Sequence, residues 1–474
     1  MRHLVVAVLL LWQVAATASA QSSADSTTAA ESYTLADAIA EARANSLRLE
    51  RARAEVDRAA ASLDAAEAEL NPSISFSGSA SLLGNPPEGV AIEPGDLGTV
   101  TEPGSTFPLP VPEQRIVLVP DAENTFYSLG TTLSQPVFTW GRLKNGIRAA
   151  EAGRDVAMWE LNGAFKEIER SVAERYFAVR FAEQSVDLLS AAEAILARVT
   201  EDRRRAFDAG AETRQGVLEA EANEANLRLR RAQAEEGLAS ARAGLAFAVG
   251  RTEASAIAAL DLATDYRTAA PTEPFDRILA GVDAPNLRTL ESRVTQAREG
   301  VAAARAAARP AVGLELGLEV SGQRTPFLAA NWRDSWDTSL SLSVGVSATA
   351  FDFGRTEARV AEAEAQLRLA QAGAAEAREG LPAQLRAAYE RARSRAVAVE
   401  VAQAALALAE ERLRAAQVSF ENDLIVRSDL LQAEVGALVA RIELANAEYD
   451  MERALIELEF QAGRIPSIAR DRTS

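Results

Sequence analysis

Apolar and polar residues alternate strictly along two stretches in the second half of the chain. Valine and leucine occupy every second position from Val312 to Val320, and glycine and glutamate lie between them. Apolar residues from Leu340 to Ala348 alternate in the same way with serine and glycine. A period of two places the apolar side chains on one face of a strand and the polar ones on the other. We therefore predict strands over residues 311–322 and 338–351.

The first half contains two similar stretches. Serine fills every second position from Ser73 to Ser81, and a weaker alternation runs from Phe126 to Phe138. The predicted strands, 73–84 and 126–138, are about ten residues or longer, which is the length of a tilted membrane strand. A soluble sandwich with one wet face has the same alternation and remains an alternative. Three aromatic residues near the loop between strands three and four, Phe327, Trp332 and Trp336, suit an aromatic belt at a membrane surface.

Four membrane strands are too few to close a barrel. An open sheet edge cannot face lipid, because its backbone groups would have no hydrogen-bond partners. If these strands insert into a membrane, several chains must therefore share one barrel.

Each strand pair precedes a very long helical stretch, predicted over residues 142–207 and 355–420. Some 65 helical residues span roughly 100 Å, a length typical of coiled coils and helical barrels. Return helices are predicted over 214–249 and 428–462. The second of these has an apolar seam with 4-3 spacing, which is the heptad of a coiled coil: Leu431, Val435, Leu438, Ile442, Ala445 and Tyr449. Pro382 lies inside the second long stretch and is expected to kink it.

The chain repeats itself. Trp140-Gly141-Arg142 recurs as Phe353-Gly354-Arg355, an offset of 213 residues between positions 140 and 353. The same offset relates further identical pairs, namely Phe138 to Phe351, Tyr176 to Tyr389, Phe207 to Phe420, Leu218 to Leu431, Glu221 to Glu434 and Gly250 to Gly463. We infer a duplication, with repeats over 34–250 and 285–463 and a proline-marked linker over 251–284.

Upstream of the strands the offset changes. Asn71-Pro72 pairs with Arg309-Pro310, a shift of 238 residues between positions 72 and 310. The additional residues of the first repeat lie between Gly84 and Asn124, a segment rich in proline and glycine. Such an insertion is typical of a loop, because added loop length costs little free energy.

The N-terminus has the features of a secretory signal. A short basic start precedes an apolar run from Leu4 to Val14, and Ala18-Ser19-Ala20 provides small residues for cleavage before Gln21. A membrane anchor is the alternative, but the run is shorter than the roughly 20 residues that span a bilayer. We predict a signal peptide over 1–20, disordered ends over 21–33 and 464–474, and no other membrane helix.

Composition limits the chemistry. The chain has no cysteine, and its one histidine, His3, lies within the predicted signal. Zinc sites, Cys–His pairs and Ser–His–Asp triads are therefore excluded, and without a cysteine no lipoprotein anchor is expected. A net charge of -18 opposes nucleic-acid binding. The acids follow predicted helical faces and form no loop cluster, so we expect no enzyme activity, metal or cofactor.

Two duplicated motifs resemble the TolC-like outer-membrane efflux family. The first joins strand to helix, as Ser134-Gln135-Pro136-Val137-Phe138-Thr139-Trp140-Gly141-Arg142 and as Phe351-Asp352-Phe353-Gly354-Arg355. The second joins turn to helix, as Phe207-Asp208-Ala209-Gly210 with Val217-Leu218-Glu219-Ala220-Glu221 and as Ser428-Asp429-Leu430-Leu431-Gln432-Ala433-Glu434. The likeness covers Leu35 to Gly463.

The resemblance implies a mainly helical fold with a transmembrane β part. Three chains would share a twelve-stranded outer-membrane barrel and form a tapering helical barrel across the periplasm of a Gram-negative cell. The assembly would be an exit duct for tripartite efflux or type I secretion, and residues 84–124 would be extracellular. Its tip would meet a periplasmic adaptor protein tied to an inner-membrane pump, through Gly210, Ala211, Asn422, Asp423 and Leu424.

The resemblance also assigns residues to the periplasmic aperture. Asp429 matches an acid that forms an anionic ring, although an acid favoured by the helix dipole would suit the same place. Gln432 stands where the family has a second ring acid. The family closes its mouth with polar contacts at positions that are Gly216, Phe420 and Ile425 here, none of which can make that lock. We therefore expect a closed tip that is held differently or leaks.

Three other interpretations fit parts of the pattern. A periplasmic adaptor also has long helical hairpins, but it needs one hairpin between β domains. A soluble coiled-coil scaffold would not require the alternating strands, and a carboxylate-based hydrolase would cluster its acids.

Overall fold

The computed structural model describes residues 33–82, 84–85, 88–104, 106–112, 114–119, 125–252, 257, 262, 265–322 and 336–464. Over these residues the chain is mainly helical, with one four-stranded antiparallel sheet. The helices are α1 (Leu35–Asn45), α2 (Leu47–Ala68), α3 (Arg142–Asp208), α4 (Arg214–Val249), α5 (Phe275–Ala280), α6 (Pro285–Ala307), α7 (Arg355–Glu421) and α8 (Arg427–Gln461). The strands are β1 (Ser73–Leu82), β2 (Val90–Ile92), β3 (Thr99–Val100), β4 (Leu109–Pro110), β5 (Ile116–Val119), β6 (Thr125–Phe138), β7 (Ala311–Gly322) and β8 (Trp336–Ser347).

Within the described ranges, no helix is both long enough and apolar enough to cross a bilayer. The predicted signal peptide, nearly all of the 21–33 segment and the tail after Arg464 lie outside these ranges, as do Phe327 and Trp332.

The sheet has the strand order β1-β6-β7-β8 and separates its side chains as the alternation predicted. One row of paired residues runs Ile74, Leu133, Leu316, Leu342 across all four strands, and the next row runs Ser75, Thr132, Gly317, Ser341. The apolar face is uncovered, since Ile74 is 61% exposed and Leu342 70%. Both outer strands, β1 and β8, have a free edge within this chain.

Two predicted strand boundaries need correction. The fourth strand ends at Ser347 instead of residue 351, because Ser347 pairs with Ala311, the first residue of β7, and no strand remains to pair beyond it. Likewise β1 ends at Leu82, opposite the first residue of β6. The predicted loop over 84–124 is also more ordered than expected, since β2 pairs with β5 and β3 with β4.

The strand-to-helix motif has the same backbone in both repeats. Trp140 and Gly141 have φ of +53° and +87°, and Phe353 and Gly354 have +56° and +85°. A left-handed conformation is rare for a bulky residue. The motif therefore recurs because each long helix begins at the same two-residue left-handed turn.

The long helices lie side by side in one layer. Helix α3 contacts α2 and α6 near the sheet and α4 and α8 further away, whereas α7 contacts α6 and α8. The predicted heptad seam of α8 faces this layer: Leu431, Leu438 and Ala445 are buried, and Tyr449 stacks on Phe181 of α3 with ring centroids 4.7 Å apart. The layer is open, with α2 and α4 at one edge and α7 at the other.

Equivalent aromatic residues anchor the two apolar cores near the middle of the long helices. The hydroxyl of Tyr176 donates to the carbonyl of Tyr33 at 2.7 Å, and the hydroxyl of Tyr389 donates to that of Glu273 at 3.4 Å. The predicted linker holds helix α5 and also Arg267, which donates to the fully buried Glu452 of α8. Helix α7 is continuous through Pro382, so the expected kink stays a prediction.

Candidate functional site at the helical tips

The ten predicted site residues lie at or just beyond the two turns that join a long helix to its return helix. At the first turn, α3 ends at Asp208, and Gly210 adopts φ of +72°. The amide of Ala211 then donates to the carbonyl of Ala206 at 2.8 Å, which closes the helix end. Gly210 and Ala211 are both exposed and form the surface of this tip.

The return helix of the first hairpin begins with a side-chain cap. The hydroxyl of Thr213 accepts a hydrogen bond from the amide of Gly216 at 3.1 Å, which satisfies a backbone donor that the helix start leaves free. Gly216 is buried, and its carbonyl accepts from Arg203 at 3.4 Å. Arg203 also lies 3.6 Å from Glu212. This tip is therefore held by its own side chains.

The second turn is built differently. Asp423 takes the left-handed conformation with φ of +57°, and the side chain of Asn422 donates to the carbonyl of Val418 at 2.7 Å. Val426 occupies the N-cap of α8 and provides no side-chain hydrogen bond. Leu424 is 76% exposed and Val426 63%. The second tip thus presents two uncovered apolar side chains.

The predicted aperture residues lie beside this turn. Asp429 is in the first turn of α8, and Gln432 follows three residues later on the same side of the helix. Both are exposed, whereas the intervening Leu431 is buried in the helical layer. An aspartate near the positive end of the helix dipole is stabilised as the charged form.

Phe420 and Ile425 are half-buried and border the second turn, while Gly216 lies at the first. Their side chains carry no polar group, as noted from the sequence. The structure instead joins the two tips through another pair: Arg427 at the start of α8 lies 3.2 Å from Asp202 near the end of α3. Sequence reasoning missed this ion pair. The signal available was the repeat, which places Arg214 and Arg427 at the first position of the two return helices.

Across the described residues, no group of three or more potential ligands is arranged to hold a metal ion. The polar groups of the tips are carboxylates, one guanidinium pair and backbone caps. Such an arrangement can attract or repel a passing solute, and it can hold two helical hairpins together.

Comparison with known proteins agrees with this architecture. The chain matches the family described as outer membrane efflux protein over residues 38–251 and 279–464, that is, over both repeats. No curated protein sequence matches it significantly.

Several solved outer-membrane channels have the same fold. The CmeC channel of Campylobacter jejuni has a TM-score of 0.70 and 17% identity, covering 90% of this chain and 85% of that one. VceC of Vibrio cholerae has a TM-score of 0.69 and 19% identity, covering 91% and 96%. The open state of MtrE from Neisseria gonorrhoeae has a TM-score of 0.67 and 18% identity, covering 91% and 89%.

The family match spans both hairpins and the strands before each, which excludes the adaptor, scaffold and hydrolase interpretations. With two repeats, an open sheet bearing an uncovered apolar face and helices of 67 residues, this chain belongs to the outer membrane efflux protein family.

Proposed function

We propose that this outer membrane efflux protein works as a homotrimer whose three sheets close a single twelve-stranded barrel in the outer membrane. The observation that supports this proposal is the open four-stranded sheet. Its apolar face is exposed along its length and suits lipid, and its two outer strands each need a partner because unpaired backbone groups are costly in a membrane.

The repeat specifies how neighbouring sheets would pair. Within the chain, the second strand of the first repeat, β6, pairs antiparallel with the first strand of the second repeat, β7. The equivalent junction between copies joins β8 to β1 of the partner subunit. Shifting the observed register by the two repeat offsets sets Ser347 against Ser77 of the partner subunit and Val344 against Ala80 of the partner subunit, so polar meets polar and apolar meets apolar.

The same duplication would close the helical layer into a barrel. Each 67-residue helix spans roughly 100 Å, enough to reach far into the periplasm from the membrane. The chain would thus form an exit duct that conducts solutes passively from a periplasmic assembly to the exterior.

At the far end, the tips would contact a periplasmic adaptor protein that is tied to an inner-membrane pump, in a tripartite efflux or type I secretion system. The exposed turn residues Gly210, Ala211, Asn422, Asp423 and Leu424 would form that contact. The 76% exposed Leu424 favours this role, because an uncovered leucine at a turn suits an apolar contact with a partner.

Asp429 from three subunits would form an anionic ring at the aperture, with Gln432 one turn further along. Three carboxylates close together attract cations and raise the barrier to anions. Phe420, Ile425 and Gly216 would border this ring without locking it.

The native mass of the protein in detergent, after subtraction of the detergent, tests the assembly. We expect the mass of three chains and loss of the protein from aqueous solution without detergent. A monomer that stays soluble without detergent would contradict the duct.

Single-channel recording then tests the ring. Asp429→Asn should lower the preference for cations over anions, whereas Asp208→Asn, an equal loss of charge at the first tip, should change it much less. Equal effects of the two substitutions would remove Asp429 from the aperture.

A further inference from the structure

A groove near the middle of the helical layer occurs twice in this chain, once in each repeat. The second-repeat groove is lined by the start of α6 (284–287), the end of α8 (460–461) and one face of α7. Helix α3 of the first repeat forms its remaining wall through Gly163 and Lys166.

Close contacts seat α3 in this second-repeat groove. A Cβ atom built on Gly163 would lie 3.9 Å from the Cβ of Pro285 and 3.7 Å from Oδ1 of Asn286. Lys166 Nζ lies 2.9 Å from a carboxylate oxygen of Asp283. The guanidinium of Arg170, on the same helix, stands 4.7 Å from the ring centroid of Phe460.

The first-repeat groove is lined by the equivalent positions. Subtracting the two repeat offsets converts the residues above to 46–49 and 247–248, and the groove is lined by Ser46, Leu47, Arg48, Phe247 and Ala248. The α7 residues Leu381 and Gln384 likewise convert to Ile168 and Ser171 of α3, which line this groove too. One wall is missing, since no helix of this chain stands where α3 stands in the second-repeat groove.

Exposure records the missing wall. Leu47 is 78% exposed, whereas its equivalent Pro285 is buried. Phe247 is 81% exposed, whereas its equivalent Phe460 is half-buried. Large apolar side chains in this state at an edge of the helical layer mark a surface that another molecule covers.

We propose that helix α7 of a second copy of this chain fills the first-repeat groove. Helix α7 is the repeat equivalent of α3 and lies at the opposite edge of the layer, so it can reach this groove only in another chain. A contact between two different surfaces of identical chains generates a ring when the rotation closes. The inference rests on the proposed trimer and assigns the residues that join its subunits.

Charge complementarity supports this occupant. The pair Gly163 and Asn286 inside the chain corresponds to Glu376 of the partner subunit and Arg48 across the junction. Both residues are exposed in the single chain. The uncharged contact within the chain thus becomes an ion pair between chains, with Leu47 and Phe247 packed against the partner helix beside it.

The absence of cysteine from the sequence allows a direct test by disulfide formation. Leu47→Cys combined with Glu376→Cys should give reducible species of two and three chains under mild oxidation. The repeat-equivalent pair, Gly163→Cys with Pro285→Cys, has Cβ atoms 3.9 Å apart, which suits a disulfide, and should link only within a chain. Leu47→Cys with Glu400→Cys, at an exposed position further along α7, should not link chains.

The outcomes separate this inference from the proposed function. A native mass of three chains without the 47–376 link would overturn the groove assignment and leave the trimer standing. A native mass of one chain would overturn both.

A charge exchange provides an independent measurement. Arg48→Glu should reduce the fraction of protein that remains trimeric on gentle heating in detergent, and adding Glu376→Arg should restore it. Failure of the second substitution to restore the trimer would contradict the ion pair, whatever the first variant does to folding.

Discussion

The two helical hairpins have nearly the same dimensions but different turns. Helices α3 and α7 each have 67 residues, and the return helices have 36 and 35. The first turn uses Gly210 in the left-handed conformation and the hydroxyl of Thr213 as a cap. The second places Asp423 in that conformation and has Val426, which cannot cap, before α8.

This difference makes the second tip the less stable of the two. A left-handed residue other than glycine costs about 1–2 kcal/mol, and the lack of a side-chain N-cap costs about 1 kcal/mol. Segments of low local stability are the ones that move in conformational changes. We infer that opening of the aperture would begin at the second hairpin, whose α8 also carries Asp429.

At their other ends the two hairpins are alike. Each return helix is followed by a left-handed glycine, Gly250 or Gly463, and then by an arginine. Each glycine abuts the segment that leads into its own repeat, at Asn45 in the first repeat and Asp283 in the second, positions related by the 238-residue offset. The duplication has therefore preserved this junction while the tips diverged.

The largest effect is expected where these junctions differ in tightness. A Cβ atom at position 463 would lie 1.6 Å from the backbone oxygen of Asp283, whereas one at 250 would lie 2.6 Å from the Cβ of Asn45. Backbone cannot turn aside as a side chain can. We expect Gly463→Ala to destabilise by roughly 3–5 kcal/mol and Gly250→Ala by about 2 kcal/mol, measured as unfolding in detergent.

Combining Gly250→Ala with Asn45→Ala offers a control, because it removes the side-chain atoms beyond Cβ and gives the loop more freedom to shift. This double variant should recover part of the lost stability. Equal effects of the two single substitutions would show that strain at positive φ, and not the clash, dominates.

Much of the fold could be predicted from the sequence because its elements are long and periodic. Alternation from Val312 to Val320 specified a strand and its faces, and the offset of 213 residues located the second hairpin once the first was found. Strand ends were less predictable, because β8 stops where its partner β7 begins, at Ala311. That limit depends on pairing and not on the local pattern.

The site was predictable in place but not in its contacts. The turns that hold Gly210 and Asp423 follow from helix-ending residues. The contact of Asp202 with Arg427 does not, because it joins two hairpins distant in sequence and both residues read locally as solvated helix charges.

The caps at the two tips predict opposite effects of exchanging them. Thr213→Ala removes a hydrogen bond to the amide of Gly216 and should cost about 1 kcal/mol. Val426→Thr supplies a hydroxyl where α8 has no cap and should stabilise by a similar amount. Hydrogen exchange at the two turns would measure both effects locally.

If opening begins at the second tip, Val426→Thr should also lower the open probability in bilayer recordings, and Thr213→Ala should change it less. Faster exchange at the second turn in Val426→Thr would contradict the capping argument.

The ion pair between the tips should matter more for conductance than for stability. Arg427 and Asp202 keep 55% and 30% of their side-chain surface exposed, so Asp202→Asn should cost less than about 1 kcal/mol. The same substitution frees α8 from α3 at the aperture and should raise the open probability at low salt. A comparable pair away from the tips, Arg441 with Glu410, provides a control in Glu410→Gln.

High salt should narrow the difference between Asp202→Asn and the unaltered protein, because salt screens exposed charges. A difference that persists unchanged in high salt would mean that Asp202 acts through packing.

The smallest effect concerns pH and the arginines that follow the two left-handed glycines. Arg251 hydrogen bonds to Glu41, which also accepts from Tyr33, and the pKa of Glu41 is lowered chiefly by the Arg251 hydrogen bond. A carboxyl with a lowered pKa in the folded state contributes stability above its unfolded pKa of about 4.3. That contribution is lost as pH falls through the folded value.

Arg251→Gln should therefore lower stability at pH 7 by less than about 1 kcal/mol, because the pair is partly exposed. The gap from the unaltered protein should close as pH falls below about 4. Arg464→Gln should behave in the same way, since Arg464 likewise lowers the pKa of Glu273 by hydrogen bonding. Thermal unfolding in detergent across this pH range gives the measurement. A gap that widened toward acid would show that each arginine stabilises its junction by some means other than its carboxylate, and the two repeats would then differ at their junctions as well as at their tips.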